Sequence, residues 1–327
     1  MTMPGRFKLQ KFLAQAKKAG CKYVVLEVTS EGIKQKRHLG IKFDCAVFTN
    51  LHKEHLESHG SFENYYKAKQ ELFKRTNNIH VLNADSEYVS LFSKFPANKK
   101  VFYSLKDYNF QTHLQGDFNK LNILAAAETV KNYGADRETI QKTLDKIKVI
   151  SGRMEFIDRG QDFKVVIDYA HTPESLEQVY QTLKSQITNH KSQINSKFQI
   201  PNSKRRLICV LGAAGGGRDK WKRPEFGKIA SQYCDEIILT NEDPFEENPE
   251  KILDDIKSGI QTDKKIKEIL DRKDAIKIAI NIAGHGDTVV ITGKGSENSM
   301  AVAGGKKIPW SDKQIVEEAL SGLTEVK

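Results

Sequence analysis

The chain has 327 residues, with 52 Lys plus Arg against 42 Asp plus Glu, a formal charge of +10. At about 150 residues per domain, this length suggests two domains, each able to bury its own core. Hydrophobic residues at 39% and charged residues at 29% exclude a disordered or fibrous chain, and no apolar run approaches the ~20 residues that span a bilayer.

The N-terminus, MTMPGRFKLQKF, lacks the apolar stretch of a signal peptide, so a cytoplasmic location is expected. Cys21, Cys45, Cys209 and Cys234 stand singly, with no CxxC pair, and are expected to be reduced, packed thiols. The lysines are scattered and no basic face is interleaved with aromatics. Neither nucleic acid nor membrane is therefore expected as a partner, and an anionic small substrate stays open.

Short apolar strands alternate with amphipathic helices. In chain order the pattern predicts a helix over Leu9–Ala19, strands over Tyr23–Val28 and Phe43–Thr49, and a helix over Phe62–Phe73. A short strand over His80–Asn83 and helices over Phe118–Asn132 and Asp136–Lys146 follow. A turn at Ile150–Gly152 then opens a fresh series of strands: Phe163–Asp168, Arg206–Leu211, Asp235–Thr240 and Asp287–Ile291. Helices fill Pro173–Lys184, Arg223–Tyr233, Pro249–Ser258, Arg272–Ala283 and Ser311–Leu320. The polar stretch Ser185–Ser203 reads as a mobile surface insertion. Strands separated by helices imply an α/β fold of parallel sheets covered on both faces, with domains over 1–150 and 151–327.

Several segments at strand ends could carry chemistry, because open α/β sheets bind ligands beyond the carboxyl ends of their strands. Glu27 closes the strand YVVLEV, where Thr29 or Ser30 could equally be a helix cap. After FDCAVFT, one short segment crowds together Asn50, His52, Glu54, His55, Glu57 and His59. Oxygen donors dominate there and no cysteine is near, which favours Mg²⁺ or Mn²⁺ over structural zinc. Read from pattern alone, Lys69 is a solvated lysine on an amphipathic helix. Asn119 and Asn122 share a helix face and could read a purine edge, whereas capping explains only one of them. In the second half, Arg153 and Asp168-Tyr169-Ala170-His171-Thr172-Pro173 could reach ribose or phosphate. The glycine-rich run Gly212–Gly217, followed by Arg218 and Lys220, lets backbone approach an anion, although it is no Walker A loop.

Taken in order, these segments resemble the Mur ligases, most closely the MurE-type branch that adds the third amino acid to UDP-N-acetylmuramoyl-dipeptide. The strings that carry the resemblance are Glu27-Val28-Thr29-Ser30, Phe48-Thr49-Asn50-Leu51 with His55, His59-Gly60, Ala68-Lys69 and Phe118-Asn119-Lys120-Leu121-Asn122. Gly152-Arg153-Met154-Glu155, Asp168–Pro173, Gly216-Gly217-Arg218-Asp219, Lys222-Arg223-Pro224 and Gly293-Lys294-Gly295 continue it. The resemblance implies an ATPase domain followed by a Rossmann-like C-terminal ligase domain. It also implies a reaction in which ATP phosphorylates a carboxylate and an amine attacks the acyl phosphate. ATP serves as substrate, Mg²⁺ as cofactor, and a free amino acid as second substrate.

By that resemblance Glu27 and His55 hold Mg²⁺, and Lys69 matches a carbamylated lysine facing a second metal; these three are the catalytic set. Asn119, Asn122, Arg153, Asp168 and His171 fall on ATP, and Ser30 and Arg37 on the muramoyl-peptide. Arg218, Asp243, Gly293 and Glu297 fall on the amino acid. The chain departs at Glu242-Asp243-Pro244-Phe245, where diaminopimelate-type enzymes carry Asp-Asn-Pro-Arg. Phe245 cannot grip a distal carboxylate, so a neutral or cationic distal end, as in lysine, is expected. The 327 residues also contain no Gly-Thr-x-Gly-Lys-Thr phosphate loop, so they are expected to represent an N-terminally shortened ligase with impaired turnover. The alternative is a non-catalytic nucleotide- or peptide-binding remnant, or one subunit of a split ligase.

Overall fold

The computed structural model describes residues 3–189, 205–261 and 264–324. The chain divides into two compact units, Met1–Gln111 with Asp117–Lys146, and Thr112–Gly116 with Ile147–Lys327. Each has its own sheet.

The first unit contains α1 (Arg6–Lys18), α2 (Ser30–Lys34), β1 (Cys45–Phe48), α3 (Leu56–His59), α4 (Phe62–Arg75) and β2 (Ile79–Asn83). It continues with α5 (Val89–Ser93), β3 (Lys99–Tyr103), α6 (Asp117–Lys131) and α7 (Arg137–Leu144). The three strands pair in the order β1-β2-β3, all parallel. β2 is buried at every position, as a central parallel strand must be when both faces are covered. One face packs Ala46, Phe48 and Leu82 against Tyr65 and Phe73 of α4 and Phe92 of α5. There the Phe48 and Phe92 rings stack at 4.2 Å. Ser61 caps α4 by accepting from the Asn64 N–H at 3.1 Å.

The strand expected over Tyr23–Val28 does not form. No ladder partner flanks it among the described residues, and Val25 is 96% exposed. Its β-branched residues favour extended backbone, yet a strand exists only where a neighbour closes its hydrogen bonds.

The second unit contains β4 (Glu155–Ile157), β5 (Lys164–Asp168), α8 (Pro173–Asn189), β6 (Leu207–Leu211), α9 (Lys222–Tyr233), β7 (Glu236–Leu239) and α10 (Pro249–Lys257). It ends with β8 (Lys265–Glu268), α11 (Arg272–Asn281), β9 (Thr288–Thr292), β10 (Ser299–Val302), β11 (Lys306–Pro309) and α12 (Asp312–Thr324). The main sheet runs β4-β5-β9-β6-β7-β8. Its pairs are parallel, as expected, save the edge pair of β4 with β5; β10 and β11 form a separate antiparallel hairpin. Val165, Ile167, Ile208, Val210, Val289 and Ile291 face α11 and α12 in one continuous core. β9 returns between β5 and β6, so the carboxyl ends of these three parallel strands lie side by side. The carboxyl ends of parallel strands are where such sheets take ligands.

Two further expectations change. Residues 185–189, placed in the insertion, extend α8, and the remainder of Ser185–Ser203 lies outside the described residues. Cys209 and Cys234 are not reduced thiols but a disulfide with Cα atoms 6.0 Å apart. Cys209 sits in β6 and Cys234 caps α9 just before the adjacent β7, a proximity invisible at a separation of 25 residues. Cys21, expected to be packed, is exposed, and Cys45 is half-buried.

His38 and His80 of the first unit are buried, and burial pushes both below the usual histidine range, Arg75 adding to the effect on His38. Neither ring nitrogen of His38 finds a hydrogen-bond partner. A histidine depressed in the folded state stabilises above its unfolded pKa of about 6.5 and loses that contribution as pH falls below it. Thermal unfolding should therefore weaken between pH 7.5 and 5.5 by up to about 1.4 kcal/mol per pH unit per histidine below ~6.5. A His38→Leu, His80→Gln variant should show a flatter pH dependence, and an unchanged slope would contradict the assignment.

Candidate functional site

In the first unit the predicted residues gather around Tyr65. The Lys69 ammonium lies 5.2 Å from its ring centroid, and the rings of His55 and His59 lie at 5.9 Å and 5.5 Å. His55 takes a left-handed conformation, φ +57°, to start α3. Glu54 sits 3.8 Å from the His55 ring nitrogen. Lys69 is half-buried. Desolvation draws its ammonium below the ordinary lysine range, while Glu54 and Glu27 pull the other way. A desolvated lysine packed on Tyr65 is no longer the solvated lysine of the helical pattern.

The peptide-side candidates lie beside this cluster. The buried Ser30 Oγ is 3.1 Å from His59 Nε2, and Glu31 is 3.4 Å from that same nitrogen. Because both partners meet one ring atom, this is not a nucleophile–base–acid relay. Arg37 donates to the Met3 carbonyl and to Gln35. On α6, Asn119 is buried whereas Asn122 is exposed, so the two do not present one common edge. Among the described residues no three His, Cys, Asp or Glu side chains converge as a metal site. Glu54 beside His55, and the charges of Glu54 and Glu27 felt at Lys69, are the acidic surroundings that the structure gives this cluster.

In the second unit the candidates occupy the carboxyl ends of β5, β6, β7 and β9. Asp168 ends β5 and accepts the Met154 and Ala170 N–H groups, each at 2.7 Å. Its carboxyl is nevertheless raised above the usual range by burial, which outweighs those bonds. Gly152 adopts φ +66° and leaves no room for a side chain, since a Cβ would meet the Ser296 nitrogen at 2.1 Å. That close seating aims Arg153 over the Tyr169 ring at 4.3 Å. His171 packs edge-on to Tyr169 at 4.6 Å and points Nδ1 at the Tyr169 carbonyl. Asp243 and Glu297 both bind the Lys294 ammonium, at 2.8 Å and 2.5 Å. Arg218 is exposed at the end of the glycine-rich loop. The Phe245 ring lies so close against Gly216 that a Cβ there would meet it at 2.6 Å. An aromatic surface thus stands where a guanidinium was sought.

Residues 1–109 match the Mur ligase middle domain and residues 152–295 the glutamate ligase domain of Mur ligases. A UDP-N-acetylmuramoyl-L-alanyl-D-glutamate–2,6-diaminopimelate ligase of Aquifex aeolicus is 35% identical over 98% of this chain, which spans 68% of that protein. The chain belongs to the Mur ligase family. The ligase of the same name from Synechocystis is 37% identical over 98% of this chain and 66% of its own length. A solved structure of a ligase with that name is 31% identical with a TM-score of 0.57, covering 98% of this chain and 69% of that one. The MurC structure from Thermotoga maritima, at 16% identity and a TM-score of 0.59 over 91% of this chain and 62% of that one, shares the fold. Within the Mur ligases this chain is of the MurE type, among ATP-dependent ligases of peptidoglycan precursor synthesis.

Sequence reasoning gave no individual role to Tyr65, Glu242 or Lys294, of which Tyr65 and Lys294 tie their clusters together. Glu242 is buried beneath Gly293; its Oε2 has no hydrogen-bond partner and desolvation holds its carboxyl above the usual range. The signal for Lys294 was present as a lysine flanked by two glycines at the end of β9, but its partners were not.

Gly293 holds φ +106°, and a Cβ there would lie 2.2 Å from Glu242 Oε2. Gly293→Ala should cost about 2–4 kcal/mol of stability. Gly305→Ala, with φ +65° and open space around it, should cost only about 1–2 kcal/mol. Paired chemical denaturation checks this, and equal losses would contradict the packing of Gly293 on Glu242.

Proposed function

We propose that this MurE-type chain takes part in ATP-dependent addition of an amino acid to UDP-N-acetylmuramoyl-dipeptide, in the cytoplasm. The observation that carries the reading is the convergence of the family strings at the strand carboxyl ends of the second unit. ATP would phosphorylate the dipeptide's terminal carboxylate, and the incoming amine would displace phosphate to form the amide.

Within the first unit, Lys69 has the environment that carbamylation needs. Desolvation favours loss of the Lys69 proton, and the amine so released can add to CO₂ and give up a further proton, becoming a carbamate near Glu27, Glu54 and His55. Bound Mg²⁺ would supply neutralisation of phosphate charge there. Ser30 and Arg37 would orient the peptide, and Asn119 and Asn122 would serve the nucleotide. In the second unit, Arg153, Asp168 and His171 would contact the nucleotide. Arg218, Asp243, Gly293 and Glu297 would cradle the amino acid.

The curated relatives are named for diaminopimelate. This chain supports a different acceptor, because Phe245 replaces the arginine and presents an apolar face. Asp243 and Glu297 against one Lys294 leave net negative charge, which suits a cationic distal end.

The test is ligation from ATP, Mg²⁺, UDP-N-acetylmuramoyl-dipeptide and an equimolar mixture of L-lysine and diaminopimelate, with products read by mass spectrometry. The lysine adduct should predominate. A predominant diaminopimelate adduct would contradict the acceptor assignment.

A further inference from the structure

Lys294 is 1% exposed, at the end of a strand whose five residues are all buried. Taking an ammonium out of water is costly unless it is paired and hydrogen-bonded. Here it is paired twice, to Asp243 Oδ1 and Glu297 Oε2. Those two carboxylates belong to different segments, the loop after β7 and the turn after β9. Asp243 Oδ1 also accepts the Ala301 N–H at 2.8 Å, which fastens the β10 hairpin to the same point. The other Glu297 oxygen takes the Tyr169 hydroxyl at 3.4 Å, and Tyr169 carries the Arg153 guanidinium on its ring. Lys294 therefore joins the Asp243 loop to the Glu297 turn, and through those two carboxylates reaches the β10 hairpin and Tyr169.

We propose that Lys294 is the positioning residue of the amino-acid site, its ammonium drawing the Asp243 loop and the Glu297 turn into one cradle for an acceptor with a cationic distal end. The charge arithmetic fits this role. Without Lys294, two carboxylates would face one another and spread apart. With it, one net negative charge remains, enough to favour a cation while keeping the cradle closed. Lysine suits the task because its three donors on one compact head reach carboxylates from two directions. The inference rests on the acceptor-site reading above, and the experiment separates the two.

On the full 327-residue chain, amide hydrogen exchange at Ala301 reports the tie and calorimetric titration with L-lysine reports the site. Lys294→Met should speed Ala301 exchange by about tenfold or more and weaken L-lysine binding by about tenfold, while Lys294→Arg restores most of both. Lys294→Gln, which keeps amide donors, replaces the methionine variant if that one does not fold, with the same direction expected. Unchanged exchange at Ala301 in these variants would overturn the tie. Faster exchange with unaltered L-lysine affinity would overturn the positioning role. A wild-type chain that binds no L-lysine, while Ala301 exchange still responds to Lys294, would overturn the acceptor-site reading instead.

Discussion

The functional end of the second unit hangs on a single buried charge, the guanidinium of Arg272. It is fully enclosed and meets Asp312 through two bonds, at 2.9 Å and 2.7 Å. The remaining donors reach the Thr292 carbonyl at 2.8 Å and the Asn241 carbonyl at 3.3 Å. Thr292 and Asn241 immediately precede Gly293 and Glu242. One planar fork thus fixes the chain exits of β9 and β7, and from those exits hang Lys294, Glu297 and Asp243. Trp310 completes the enclosure by donating its indole N–H to Asp312 at 2.8 Å. A buried pair of this kind adds little net stability, yet losing either partner costs about 3–5 kcal/mol. Its value here is geometric.

From that anchor outward, the site is assembled by close approaches that only glycine permits and by charges that are mostly matched. Gly152 seats the Arg153 turn on Ser296, and Gly293 admits the Glu242 carboxyl beneath it. The exception to matching is Glu242, whose Oε2 has no hydrogen-bond partner and whose carboxyl burial pushes above the usual range. The first unit repeats the theme on a smaller scale, with Lys69 desolvated against Tyr65 and flanked by acids.

Much of this was legible in the sequence where burial is two-sided. β5, β6, β7 and β9 are continuous apolar runs, because a central parallel strand has no polar face to offer. Edge strands hid themselves: Lys99–Tyr103 begins with two exposed lysines, and Lys265–Glu268 alternates charge with Ile266 alone between. Tyr23–Val28 misled for the opposite reason, carrying strand-like residues without a ladder partner. Asp168, Asp243, Gly293 and Glu297, singled out by the resemblance, stand at or just beyond the ends of β5, β7 and β9. The family strings did not reveal Lys294 bridging Asp243 and Glu297, since the bond to Asp243 spans 51 residues and depends on strand order. The same limit concealed the Cys209–Cys234 bond.

The account stands or falls on what the Asp243–Lys294–Glu297 cradle receives. A crystal structure of the chain with L-lysine bound measures this directly. The account predicts the distal ammonium within hydrogen-bonding distance of Asp243 or Glu297, with the Phe245 ring along its methylene chain. An amino acid bound with its distal end away from both carboxylates would contradict it.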